Sequence, residues 1–169
     1  MKSARACKLS FGVIATVCVA FAAAPKVASA ATTTASFIVS TTVQTSCVIS
    51  ATPMQFGAYV GTDVSNSTST ITVQCSATEP YDVGLNAGTA TGATVTTRQM
   101  TGPGNALLNY GLYTDFARTV NWGDTVGTDT VSGIGTGNPQ NLTVYGQIPA
   151  GQGVASGDFT DTIIATVTF

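Results

Sequence analysis

The sequence predicts a single all-β domain, an antiparallel β-sandwich, behind an N-terminal export signal. Short stretches of alternating apolar and polar residues recur along the chain between Gly, Asn, Asp and Pro, as is typical of β-sandwiches. Thr, Ser, Gly, Val and Ala dominate, and no window of a dozen residues combines helical periodicity with helix caps. A single pair of cysteines follows the export signal, which is enough for one disulfide.

The first thirty residues have the organisation of a cleaved secretory signal. A basic start precedes the apolar run Leu9–Ala24, and residues 28–30 (Ala-Ser-Ala) form a small-residue cleavage site. The apolar run ends at Pro25 and is short for a membrane-spanning helix, which needs about 20 residues. We therefore predict a cleaved signal peptide over residues 1–30 and an exported mature chain.

The mature chain is acidic and carries few chemical groups for catalysis. It keeps two arginines, Arg98 and Arg118, against eight acidic residues, a net charge of −6, and it has no lysine or histidine. The missing side chains exclude Ser–His–Asp, Cys–His, Ser–Lys and histidine-metal sites. The negative charge argues against binding to nucleic acid or to anionic lipid.

Period-two alternation marks the strands. From the N-terminus, the residues predicted to share a face within each strand are Ala35, Phe37, Val39, Thr41 and Val43; Ile71, Val73 and Cys75; Val83, Leu85 and Ala87; Leu108, Tyr110 and Leu112; Leu142, Val144 and Ile148; and Ile163, Ala165, Val167 and Phe169. Loops are predicted over residues 62–68, 86–94, 101–105, 123–138 and 149–157.

The cysteines and the chain ends add two expectations. In an exported chain, Cys47 and Cys75 predict one disulfide that links an early strand to the next.

The last alternating stretch, from Asp161 to Phe169, has no later segment to cover its edge, and the first alternating stretch follows the signal directly. We therefore expect a subunit that polymerises by lending a strand.

Two kinds of site remain to be weighed. The carboxylates that could act in glycoside hydrolysis or bind calcium are Asp124, Asp129, Asp158 and Asp161. All lie in Gly- and Thr-rich turns, where Asp commonly serves local hydrogen bonds, so we expect no enzyme and no metal. The aromatic residues that could stack on a sugar are Trp122, Tyr113 and Tyr145, and packing over the sandwich is the favoured interpretation.

Several ordered motifs resemble the spore coat protein U domain, a family that includes subunits of archaic, Csu-type chaperone-usher pili. The motifs are Leu112-Tyr113-Thr114-Asp115, Arg118-Thr119, Trp122-Gly123-Asp124, the stretch from Val144 to Gln152 (VYGQIPAGQ), and the stretch from Gly157 to Ile163 (GDFTDTI). The likeness extends over the whole mature chain.

The resemblance implies an incomplete immunoglobulin-like sandwich that lacks its last strand, with an N-terminal donor strand. Residues 31–45 would be the donor extension and residues 46–169 the domain. The implied donor residues are Ala35, Phe37, Val39, Thr41 and Val43, and the implied acceptor groove and chaperone-binding strand carries Ile163, Ala165, Val167 and Phe169.

The resemblance also implies partners and a role. The partners would be identical or related subunits, a periplasmic chaperone and an outer-membrane usher, with no cofactor. The expected role is a surface pilus of a Gram-negative bacterium, supporting attachment and biofilm formation. A coat protein on a spore or cell surface is the alternative, and a secreted carbohydrate-binding sandwich is a third hypothesis.

Overall fold

The structure, a computed structural model, describes residues 27–169. The predicted apolar run of the signal peptide lies outside these residues. Two units are distinguished, one up to Thr41 and one from Thr42 to Phe169. Residues 27–46 form neither helix nor strand. Across residues 27–169, no helix combines the length and the apolar character needed to cross a bilayer.

Eight strands make up the domain. They are β1 (Cys47–Ala51), β2 (Ser65–Cys75), β3 (Pro80–Leu85), β4 (Arg98–Thr101), β5 (Leu107–Tyr113), β6 (Val131–Ile134), β7 (Gln140–Ile148) and β8 (Ala165–Thr168). The one helical element among the described residues is a 3₁₀ turn over Pro103–Asn105.

The strands form two antiparallel sheets. One sheet has five strands in the order β1-β2-β7-β5-β4, and the other has three in the order β6-β3-β8. The central pair β2–β7 is in register from Ser65 opposite Ile148 to Val73 opposite Gln140. The predicted all-β, antiparallel fold class is confirmed.

The core lies between the two sheets and follows the predicted alternation. The fully buried apolar residues are Ile71, Val73, Cys75, Tyr81, Val83, Leu85, Leu108, Tyr110, Leu112, Trp122, Val144 and Ile148. Most of them occupy every second position of β2, β3, β5 and β7, because successive side chains of a strand point to opposite faces. The predicted packing role of Trp122 is confirmed, and its indole Nε1 donates to Val83 O at 2.8 Å.

A buried arginine joins the two sheets, and no sequence pattern predicted its burial. Arg98 is fully buried on β4, where its guanidinium donates to four backbone carbonyls at 2.6–2.8 Å: Leu85, Asn86, Val95 and Trp122. Burial lowers the pKa of the Arg98 guanidinium below its usual value. The carbonyls satisfy its donors, and the arginine ties the end of β3 to the edge of the larger sheet.

Several predicted boundaries were wrong. β3 ends at Leu85, before the predicted strand residue Ala87, and Thr101 of a predicted loop ends β4. Residues 65–68 belong to β2, and residues 131–134, inside a predicted loop, form β6 against β3. The last strand runs only from Ala165 to Thr168, and Phe169 is 53% exposed instead of lying on the buried face. The strand begins after the predicted start because the Ile164 amide donates to the side-chain Oδ1 of Asn86 and not to a neighbouring strand.

Cys47 and Cys75 form a disulfide between β1 and β2, where they are opposite each other in register. The bond links residues 28 positions apart. A cross-link over a loop of this length restricts the unfolded chain.

Replacing both cysteines by serine (Cys47→Ser with Cys75→Ser) should lower the free energy of unfolding by about 3–4 kcal/mol, because the unfolded chain regains loop entropy. Chemical denaturation of the exported chain measures the difference. Reduction of the unsubstituted protein should reproduce most of the loss. Coincident denaturation curves for all three samples would contradict the prediction.

Candidate functional site: an open groove beside the last strand

A large groove opens on one side of the sandwich. Its volume is about 1350 Å³, and its two walls are residues 51–61, which follow β1, and residues 151–163, which precede β8. Its floor is formed by side chains of the core, including Ile71, Leu85, Leu108, Leu112, Val144 and Ile148. The groove is therefore an unfilled part of the hydrophobic core.

The size of the groove is unusual for a domain of this kind. Protein interiors are close-packed and have few voids larger than a water molecule. Pockets for small ligands typically measure about 300–1,000 Å³. A larger space over core residues has the dimensions needed for a segment of polypeptide.

The strands beside the groove are both sheet edges. Within residues 27–169, β8 is hydrogen-bonded only to β3, and β1 only to β2. The outer edge of β8 has backbone N–H and C=O groups that no described strand pairs. Such an edge is a ready template for another strand.

The four predicted acceptor residues differ from one another in their position relative to the groove. Ile163 and Ala165 line the groove. Val167 packs against the core and lies opposite Val83 of β3. Phe169 does neither, since it is exposed at the end of the chain.

The predicted donor residues all lie in the irregular segment before β1. Phe37, Val39 and Val43 are 86%, 83% and 89% exposed, and Ala35 and Thr41 are exposed as well. Apolar side chains of this size are normally buried. A run of them in one segment is a feature of interaction sites.

A hydrogen-bonded pair lies at the groove wall. The Tyr110 hydroxyl donates to Asp161 Oδ2 at 2.6 Å, and Asp161 Oδ1 accepts from the backbone N and hydroxyl of Thr89 at 2.8 and 2.7 Å. Burial and the bond to Asp161 raise the pKa of Tyr110 above its usual value of 10.0. The neutral phenol is thus favoured in the fold, so stability should fall as the pH rises above 10.0.

The wall formed by residues 51–61 was not predicted as part of any site. Met54, Phe56 and Tyr59 pack against the core from this wall. Glycine at position 146 of β7 makes the approach possible, because a Cβ there would collide with Met54 Sδ. The signal in the sequence was the set of apolar residues Met54, Phe56 and Tyr59 between β1 and β2.

The four candidate carboxylates do not form one cluster. Asp158 and Asp161 line the groove. Asp129 serves a turn, where its Oδ1 accepts from the Thr125 amide at 2.7 Å, and Asp124 packs against Gly84 of β3. Asp129 therefore makes the local hydrogen bond that aspartates in turns usually make. Asp161 makes one such bond, from Thr162 N at 2.7 Å, and its other donors, Tyr110 and Thr89, are distant in sequence.

Comparison with known proteins places the chain in a family. The Spore Coat Protein U domain matches residues 33–166, so the chain belongs to the Spore Coat Protein U domain family. Protein U of Myxococcus xanthus is 34% identical over 122 residues, which are 69% of this chain and 67% of that protein.

A solved structure shares the fold. It is the crystal structure of the CsuC–CsuE chaperone–tip adhesion subunit pre-assembly complex from archaic chaperone-usher Csu pili of Acinetobacter baumannii. The TM-score is 0.58 at 24% identity, over 76% of this chain. The match spans 40% of the length of the solved chain.

Removing the Tyr110 hydroxyl (Tyr110→Phe) should lower the free energy of unfolding by about 1.5–3 kcal/mol, the range for hydrogen bonds to charged groups. A double-mutant cycle with Asp161→Asn isolates the interaction. We expect a coupling energy of about 1 kcal/mol or more from denaturation curves of the four proteins. Strictly additive effects would contradict a direct contribution of this pair.

Proposed function

We propose that this chain is a structural subunit of a chaperone-usher pilus and that it polymerises by donor-strand complementation. The observation that carries the proposal is the open groove, whose floor is the protein's own core. Adding a strand to the free edge of β8 would complete both the sheet and the core. Backbone hydrogen bonds would supply affinity, and alternate side chains of the added strand would pack on the apolar floor of the groove.

The proposed occupant of the groove is the segment 31–45 of another subunit. Phe37, Val39 and Val43 alternate along it, and each would gain roughly 1.5–3 kcal/mol on burial. Thr41 and Ala35 would point the same way, whereas Ile38 would face away from the groove floor. Several such insertions, with a ladder of hydrogen bonds, would make the contact slow to dissociate.

The proposed partners before polymerisation are a periplasmic chaperone and an outer-membrane usher. An unfilled groove exposes apolar surface and unpaired backbone groups, which favour aggregation. A chaperone that lends a strand would cover them until the usher exchanges it for the next subunit. The solved structure with this fold is named as a complex of a chaperone with a tip subunit, which supports this route.

The proposed division of the chain follows from this route. Residues 1–30 would direct export and be removed, residues 31–45 would form the donor extension, and residues 46–169 would form the acceptor domain. The assembled product would lie on the cell surface. Attachment and biofilm formation are the roles we propose for it, and we propose no enzymatic activity.

A coat protein is the second candidate function, because the family bears the description Spore Coat Protein U domain. A coat subunit could use the same groove but would form a layer. Electron microscopy of cells that express the chain with its chaperone and usher separates the two: thin surface fibres support the pilus, and a continuous layer supports the coat.

Placing carboxylates in the donor segment (Phe37→Asp with Val39→Asp) should abolish polymerisation, because an uncompensated charge would enter an apolar groove. The measurement is the ladder of SDS-resistant multimers in unheated samples of the exported chain. We expect the ladder from the unsubstituted chain and its loss in the double variant.

The control is Ile38→Asp, which places one carboxylate between the two donor positions, on the opposite face of the alternating segment. Its side chain should face away from the groove, so the ladder should persist. Equal loss in both variants would contradict the alternating donor. A monomeric unsubstituted chain would contradict polymerisation itself and would favour a test of sugar binding.

A further inference from the structure

The two walls of the groove are joined at one end by hydrogen bonds. The Tyr59 hydroxyl donates to Pro149 O at 2.7 Å and accepts from the Gln152 backbone N at 3.2 Å. Gly151 N donates to Gly61 O at 2.7 Å. The wall of residues 51–61 is thus fastened to the turn that starts the opposite wall.

The same turn is anchored to the larger sheet by one side chain. Gln152 Oε1 accepts from Asn109 N at 2.7 Å, and Gln152 Nε2 donates to Asn109 O at 2.9 Å. The β5–β7 ladder covers only Gly111 to Tyr113 of β5. If this antiparallel register continued, Asn109 would lie opposite residue 149, a proline, which has no amide hydrogen to donate. The Gln152 carboxamide supplies the hydrogen-bond donor and acceptor for Asn109 instead.

The fastening matters because the wall of residues 51–61 contains little regular structure. Beyond Ala51, its residues belong to no strand. It lies beside an apolar floor, and movement of the wall onto that floor would bury apolar surface and narrow the groove. The hydrogen bonds of Tyr59 and Gln152 oppose such movement at the end where the walls meet.

We propose that Tyr59 and Gln152 are positioning residues that fix the spacing of the two groove walls and so keep the groove ready to accept a strand. The proposal rests on the proposed function. It assigns to this pair the preorganisation of the acceptor site, which lowers the cost of ordering on binding. A second copy of this chain, through its residues 31–45, is the partner concerned.

The test compares two variants with a matched control in the full exported chain. Tyr59→Phe removes one hydroxyl and keeps the ring. Gln152→Met removes the carboxamide at similar length. The control Gln99→Met removes a bond of 2.9 Å from Gln99 Nε2 to the side-chain oxygen of Asn109, outside the groove.

Two measurements are needed. Amide hydrogen exchange should be about threefold to tenfold faster at the amides that donate at this junction, with β2 and β7 unchanged. These amides are Gln152 in Tyr59→Phe, Asn109 in Gln152→Met, and Gly151 in both variants. SDS-resistant multimers of these variants should dissociate at a lower temperature than those of the control. A purely local structural role would change the exchange rates and leave multimer dissociation at the control value.

The outcomes separate the two proposals. Unchanged exchange at Asn109, Gly151 and Gln152, or multimers as stable as those of Gln99→Met, would overturn the positioning role and leave the proposed function intact. The absence of multimers from the unsubstituted chain would overturn the proposed function, and the positioning role with it. Faster exchange together with weakened multimers supports both.

Discussion

The structure depends on one constraint, which is that the core of the sandwich is not closed by its own strands along the side of β8. Hydrophobic burial supplies most of the free energy of folding. Here Leu108, Leu112 and Ile148 pack into the core and also line an open groove of about 1350 Å³. Under the proposed function, a strand that enters the groove would gain the remaining burial. Folding and assembly would then use the same apolar surface.

Other parts of the molecule compensate for the open side. The Cys47–Cys75 disulfide holds the edge strand β1 to β2, and Arg98 joins β3 to the larger sheet through backbone carbonyls. At the groove itself, Tyr110 and Asp161 fix one wall, and Tyr59 and Gln152 join the two walls. The disulfide and the hydrogen bonds are directional, unlike hydrophobic burial. They hold the strands and the groove walls in position around the part of the core that is open.

Period-two alternation predicted the architecture well, because strands buried on one face leave a direct mark on the sequence. Ile71, Val73 and Cys75 lie in the core as expected. It failed where side chains replace the ladder, as Asn86 does at Ile164, and where a strand is as short as β6. The groove wall around Met54 and the buried Arg98 escaped prediction because both depend on contacts distant in sequence. For the last strand, the sequence predicted its existence but placed its start at Asp161, whereas the strand begins at Ala165.

The central claim is that the groove of one subunit holds the N-terminal segment of another. The most direct test is a photo-crosslinking amino acid at position 37 in multimers assembled from a mixture of isotopically light and heavy chains. Mass spectrometry identifies the attached peptides and shows whether they come from a different chain. The account predicts light–heavy crosslinks to residues 51–61 or 159–165. Crosslinks confined to the same chain, or to surfaces outside the groove, would contradict it.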